Sequence, residues 1–328
     1  MNKISAAIKN FKSKHVAVIG DVMMDHYITG KVERISPEAP VPVVSVNSFD
    51  DRAGGAANVA LNICALGAKC SLFSIIGNDV HGKKLTSICK SKKINTEGLI
   101  ASSNRMTTLK ARVIGNNHQL LRFDHETTED ILSVDEQKLI AAFKNYSKKN
   151  KLDAVVLEDY NKGVLTKNLI HEIIAYCNKQ GIPTLVDPKK KNFFEYKDCT
   201  LFKPNLKEIK DSLHDISIQP ELKNLQQASK LLQKKIGNKI SVITLAEKGI
   251  FFHQKNNSEI VPAHIRNIAD VSGAGDTVVS VLALGLASQM DLHEIAWLGN
   301  LAGGLVCEEP GVVTIDLKKL ESEITKIK

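Results

Sequence analysis

Aromatic residues make up only 5% of the 328 positions, with a single tryptophan. None is interleaved with the densest basic clusters, Lys148-Lys149 and Lys189-Lys190-Lys191, and no familiar nucleic-acid module is readable. The net charge of +8 therefore describes a solvated, lysine-rich surface that attracts small anions. A nucleic-acid partner is not expected, and retention on DNA should be weak and not saturable. The cysteines (Cys64, Cys70, Cys89, Cys177, Cys199 and Cys307) are scattered, with no C-x-x-C pair and no neighbouring histidine pattern. That spacing argues against a zinc site and a disulfide framework, and suits a reducing cytosol. No apolar run reaches bilayer-spanning length, and the N-terminus lacks the apolar region of a signal peptide. A cytoplasmic protein without a membrane partner is expected. Repeats, low-complexity tracts and linkers are also missing. At 43% hydrophobic and 24% charged residues, one α/β domain over 1–328 with a small flap is the simplest expectation.

What is present centres on Asp270-Val-Ser-Gly-Ala-Gly-Asp-Thr277, ahead of an apolar run over 278–287 that reads as a buried helix. Gly273 and Gly275 permit a sharp turn. The amides of Ala274, Gly275 and Asp276 then open the helix, where unpaired N–H groups and the macrodipole favour an anion. Asp276 in such a nest suits a base that takes a hydroxyl proton while the amides stabilise a transferred phosphoryl group. The same residues also fit an ordinary capped helix with a first-turn acid.

Along the chain, His15-Val-Ala-Val-Ile-Gly-Asp21 reads as a buried strand that delivers Asp21 to its carboxyl end, with Asp25 four residues on. In open α/β sheets that edge holds ligands. The two acids suit sugar hydroxyls, or a turn. Residues 34–46 are too rich in proline for a helix or central strand, and read as an edge strand or flap. Gly54 and Gly55 lead into an Ala-rich helix carrying Asn58, which suits either a ligand's close approach or close packing. Residues 107–114 and 119–124 form a hairpin around Gly115-Asn-Asn-His118. It carries Lys110, Arg112 and Arg122, of which one could reach a substrate phosphate. From about residue 134, strands and helices alternate: strands over 153–160, 183–188 and 240–245, a helix over 167–180, and a strand-to-helix junction over 200–208. This βαβ alternation implies a three-layer, mostly parallel sheet with acids and Gly turns at its carboxyl edge.

On these motifs the chain resembles the ribokinase-like (PfkB) carbohydrate kinases over essentially its whole length. Gly54 to Gly67 is similar to the family's sugar-side helix, Asp270 to Asp276 to its G-A-G-D motif, and Pro204-Asn-Leu-Lys-Glu208 to its nucleotide and magnesium segment. The resemblance implies a doubly wound α/β fold with a small β lid, here roughly 22–52 and 105–125. Gly20-Asp-Val-Met-Met-Asp25, residues 34–44 and Asp159-Tyr-Asn-Lys-Gly163 resemble the D-glycero-β-D-manno-heptose 7-phosphate kinase branch. That branch phosphorylates C1 of the sugar on the way to ADP-heptose for lipopolysaccharide. The chain ends at Lys328 without an H-x-G-H adenylyltransferase motif, so the stand-alone kinase form is expected. Carried over by position, Asp276 is the base and Gly273, Ala274 and Gly275 form the anion hole. ATP falls to Asn205, Leu206, Lys207, Glu208, Thr244 and Gly249, with Glu208 holding Mg2+ through water. The sugar phosphate falls to Asp21, Asp25, Gly54, Gly55, Asn58, Arg112, Arg122, Asp159 and Lys162. A monovalent cation such as K+ is implied near Asp270 and Ser272, and a homodimer through the lid is expected. Glu158, ahead of Asp159, departs from the branch's small polar residue and leaves open which carboxylate faces the sugar. The rival readings are a kinase of another sugar, sugar phosphate or nucleoside, and a catalytically inactive sensor.

Overall fold

The computed structural model describes residues 2–213 and 218–326. In chain order its strands are β1 (His15–Gly20), β2 (Val22–Ile35), β3 (Pro42–Gly55), β4 (Lys69–Gly77), β5 (Asn95–Ser102), β6 (Thr108–Gly115) and β7 (His118–His125). They continue as β8 (Ala154–Glu158), β9 (Thr184–Asp187), β10 (Leu201–Phe202), β11 (Ile240–Thr244), β12 (Ile250–Gln254) and β13 (Asn257–Val261). The helices are α1 (Asn2–Asn10), α2 (Ala56–Ala65), α3 (Val80–Ser91), α4 (Ser133–Lys149) and α5 (Lys167–Gln180). After them come α6 (Leu206–Ser212), α7 (Leu222–Ile236), α8 (Ala274–Ala287), α9 (Leu292–Val306) and α10 (Leu317–Lys326).

A nine-stranded sheet runs in the order β13-β12-β11-β10-β9-β8-β1-β4-β5, with every pairing parallel except β11–β12 and β12–β13. Its central strands are apolar on both faces, as a sheet sandwiched between helices requires. In β1, Val16 and Val18 pack with α2, α8 and α9, whereas Ala17 and Ile19 pack with α4, α5 and α7. The same parity puts Ala154 and Val156 of β8, Leu185 of β9 and Leu201 of β10 on the α8 face. This is the expected three-layer, mostly parallel architecture. A second sheet, β3-β2-β6-β7, forms the lid.

The lid differs from expectation in one important way. β2 begins at Val22, one residue beyond β1, and runs for 14 residues beside both β3 and β6. Asp25 therefore lies inside a lid strand, not at the end of β1. The helix opened by Ala274, Gly275 and Asp276 begins as expected, with those three residues forming its first turn.

Candidate active site

Gly273 caps α8 with φ 81°, a left-handed conformation that favours glycine. Thr277 N–H makes a helical bond to Gly273 O at 3.0 Å, so the amides of Gly275 and Asp276 lie ahead of it. Gly275 is exposed, and a Cβ there would meet open space. Asp276, by contrast, is 4% exposed. Its Oδ1 accepts the Tyr160 hydroxyl at 2.6 Å, and its Oδ2 accepts Asn58 Nδ2 at 2.7 Å. Burial pushes the Asp276 carboxyl up to about 6, against the pull of those two donors. A carboxylate so placed is largely ionised at neutral pH and still basic enough to accept a proton. Asn58, expected to hold sugar hydroxyls, here orients Asp276. Asn62 in turn donates to Asn58 O at 2.9 Å and accepts Thr277 Oγ1 at 3.2 Å, tying α2 to α8. Tyr160 escaped the sequence reading, although it lies within the Asp159–Gly163 motif.

The acids at the strand ends are arranged differently from expectation. Asp21 is 1% exposed, and its oxygens accept the amides of Tyr160, Lys162 and Val164 at 2.8, 3.0 and 2.9 Å. In this arrangement it clamps the loop that presents Tyr160. Asp159 is likewise buried, accepting Tyr196 O–H and Asn161 N–H, each at 2.7 Å. Gly54 and Gly55 also serve packing. A Cβ on Gly54 would collide with the Asp25 carboxylate and Met23, and one on Gly55 with Asp21 O.

At the base of the lid, Arg112 Nη1 pairs with Asp25 at 2.5 Å, and its guanidinium lies over Tyr27. Arg122 sits directly opposite Arg112 across β6–β7, half exposed and paired with Asp124 at 2.9 Å. Lys162 Nζ meets Glu126 at 2.6 Å. Each of these cations already has a carboxylate, which a substrate phosphate would have to displace. The Tyr27 hydroxyl oxygen accepts Val312 N–H at 3.2 Å, and Arg52 Nη1 donates to Val312 O at 2.9 Å. The lid base thus touches the segment whose Gly311 N–H donates to Asp270 at 3.0 Å. Asp270 also accepts Ser272 N–H at 2.9 Å, and although burial opposes it, these bonds hold its carboxyl below the usual range.

On the other side of α8, Asn205 and Glu208 cap one another: Asn205 Oδ1 accepts Glu208 N–H, and Glu208 Oε2 accepts Asn205 N–H, both at 2.8 Å. The Asn-x-x-Glu spacing expected for nucleotide and metal is also a capping box. Glu208 Oε1 pairs with Lys189 at 2.6 Å. Burial works against the Lys189 charge, but Asp187 and Glu208 outweigh it and hold the ammonium firmly protonated. Thr244 bridges to Asn205 at the same edge. Gly249, with φ 97°, packs against the backbone of Val261 to Ala263, where a Cβ would not fit. Leu206 packs on the α5/α7 side of the core, and Lys207 is exposed. Among the described residues no three acids, histidines or cysteines converge as a metal cage. A lone carboxylate such as Glu208 fits Mg2+, which keeps most of its waters and takes further oxygens from substrate phosphates.

Residues 13–319 match the family model of the pfkB family carbohydrate kinases. The bifunctional protein HldE of Aliarcobacter butzleri (strain RM4018) is 39% identical over 309 residues, 94% of this chain and 64% of that relative. Its counterpart from Helicobacter pylori (strain J99 / ATCC 700824) is 38% identical over 307 residues, covering 94% and 65%. The chain thus spans just under two thirds of these relatives. Escherichia coli phosphofructokinase-2, solved with potassium, superposes with a TM-score of 0.78 over 95% of this chain and 98% of that one, at 18% identity. Arabidopsis thaliana ribokinase, solved with ribose and ATP, gives 0.72 over 94% and 98%, at 16%. At such identities the likeness establishes a shared ribokinase-like fold. With this fold, the open amides and the buried acid at the head of α8, the chain belongs to the pfkB family of carbohydrate kinases, phosphotransferases that act on an alcohol group.

Proposed function

We propose that this kinase uses ATP to phosphorylate C1 of D-glycero-D-manno-heptose 7-phosphate, giving the 1,7-bisphosphate for ADP-heptose and lipopolysaccharide precursors. The observation that carries the chemistry is Asp276, buried between two donors beside the open Gly275 amide. The heptose assignment rests on the 34–44 and 159–163 motifs and on the HldE relatives.

In this reading the Asp276 carboxylate accepts the proton of the C1 hydroxyl as its oxygen attacks the γ-phosphorus. The bond to the bridging oxygen breaks and ADP leaves. The amides of Gly275 and Asp276 stabilise the equatorial oxygens, with positioning as the main contribution, whereas the Ala274 amide, expected to join them, donates to Val271 O at 3.3 Å. Glu208 would hold Mg2+ through water, and the ion supplies charge neutralisation at the phosphates when bound. Asp270 and Ser272 would support a monovalent cation. Arg112, Arg122 and Lys162 are the candidates for the 7-phosphate. A single kinase domain, a cytoplasmic location and a homodimer built through the lid complete the proposal. The described helices include none long and apolar enough to cross a membrane.

A coupled ADP-release screen over sugars and sugar phosphates, with products mapped by phosphorus NMR, tests it. Heptose 7-phosphate should be the preferred acceptor, and its dephosphorylated form should be much poorer. Losing one charge-assisted contact corresponds to about 1.5–3 kcal/mol. Equal turnover with and without the 7-phosphate would remove the phosphosugar assignment.

A further inference from the structure

One buried acid has no part in the chemistry above. Glu158 ends β8 with 0% exposure, and neither of its carboxyl oxygens has a hydrogen-bond partner among the described residues. Strand parity directs it to the α8 face, where Ala154 and Val156 of the same strand also point. Its registered neighbour on β9 is Asp187, which has the same parity as Leu185. Asp187 Oδ1 also lacks an aligned hydrogen bond, although Lys203 Nζ lies 3.0 Å away.

The charged and titratable groups around Glu158 are Asp187 on the next strand, Lys203 beyond β10, Lys189 after β9, Asp276 on α8, and the hydroxyls of Tyr160 and Tyr196. Each potential donor is committed elsewhere. Lys203 pairs with Asp187 and Lys189 with Glu208, while Tyr160 donates to Asp276 and Tyr196 to Asp159. An ionised Glu158 would be a buried charge with no donor, which proteins avoid by taking up a proton. A neutral acid supplies the missing donor itself, and Asp187 supplies the free lone pair. Burial, with Asp187 and Asp276 nearby, also holds the Glu158 carboxyl well above the usual range.

We propose that Glu158 is a positioning residue that stays a neutral carboxylic acid and shares its proton with Asp187, leaving Asp276 to carry the negative charge used in the reaction. Its kinetic part rests on Asp276 being the base, whereas its protonation state can be tested without turnover. In wild-type protein carrying carboxyl-labelled glutamate, infrared spectroscopy at pH 7 should show an isotope-shifted band of a protonated carboxyl, and Glu158→Gln should lose it. Absence of that band from the labelled wild type overturns the proposal, even if the variant does not fold.

Thermal melting gives a second reading. A carboxyl whose folded pKa exceeds its unfolded 4.5 contributes stability below 4.5 that is lost as pH rises toward the folded value. The Tm advantage of Glu158→Gln over wild type should therefore widen from pH 5 to pH 8, and a constant gap counts against the proposal. In kcat/KM, the acid limb near pH 6 should stay in place in Glu158→Gln, since one neutral group replaces another. A shift of that limb to lower pH would show that Glu158 had been ionised. If neither protein has an acid limb, the base assignment fails, while the infrared and melting results still decide the state of Glu158.

Discussion

At Asp276, one residue carries conflicting demands of folding and chemistry. Its pKa is raised from 3.8 to about 6, so its burial is unfavourable only once it ionises. The stability it allows is complete below pH 3.8 and is lost as pH rises through 6, on the order of 2–3 kcal/mol. Asp276→Asn should therefore melt higher than wild type at pH 7, with the gap closing toward pH 4. Turnover should move the opposite way, with kcat falling about 10²–10⁴-fold and nucleotide Kd little changed. A variant that turned over normally would remove Asp276 from the mechanism. Tyr160→Phe deletes a donor that lowers the Asp276 pKa, so the acid limb of kcat/KM should move to higher pH and activity should recover on the alkaline side. An unmoved limb would mean the hydroxyl does not bear on the base.

Among the elements, α6 shows how structural and ligand roles can share residues. Asn205 and Glu208 satisfy each other's backbone amides, so Asn205→Ala should destabilise the protein by about 0.5–2 kcal/mol, measured by denaturant unfolding. If the pair serves nucleotide as well, KM for ATP will rise in the folded variant; a change confined to stability would assign the motif to capping alone. α5 was legible in the sequence because its signals are local: Thr166 caps it through Leu169 N–H, and Gly181 ends it in a left-handed turn. β1 was legible as a short apolar run. β2 was not, since Met23 and Met24 are both buried in succession and polar residues interrupt the rest, so its order comes from β3 and β6 on either side. For the same reason the sequence located Asp21, Asn58 and Asp159 without the protein groups they meet. Which atoms a buried carboxylate meets depends on loops more than 100 positions away, as with Asp21 and Tyr160.

At the scale of the whole molecule, the lid carries the most exposed apolar surface: Ile35, Val46, Phe49, Leu121 and Phe123 are each at least 45% exposed. β3 and β7 are also the open edges of its sheet, which proteins usually cover. If a second copy covers them, light scattering should give twice the monomer mass, and Phe49→Asp with Leu121→Asp should return it to monomer. A wild-type monomer at micromolar concentration would reject the dimer. The way the lid is attached has a mechanical consequence. β2 and β3 are 14 residues each, and their pairing starts at Val22 and Gly55, beside Asp21 and the first turn of α2. Two such strands make an arm of roughly 40 Å, so turning it by about 10° at the root sweeps the tip through about 7 Å. The fulcrum is the tight seam where Gly54 meets Asp25. Displacements of tenths of an ångström there become excursions at the far end as wide as a side chain.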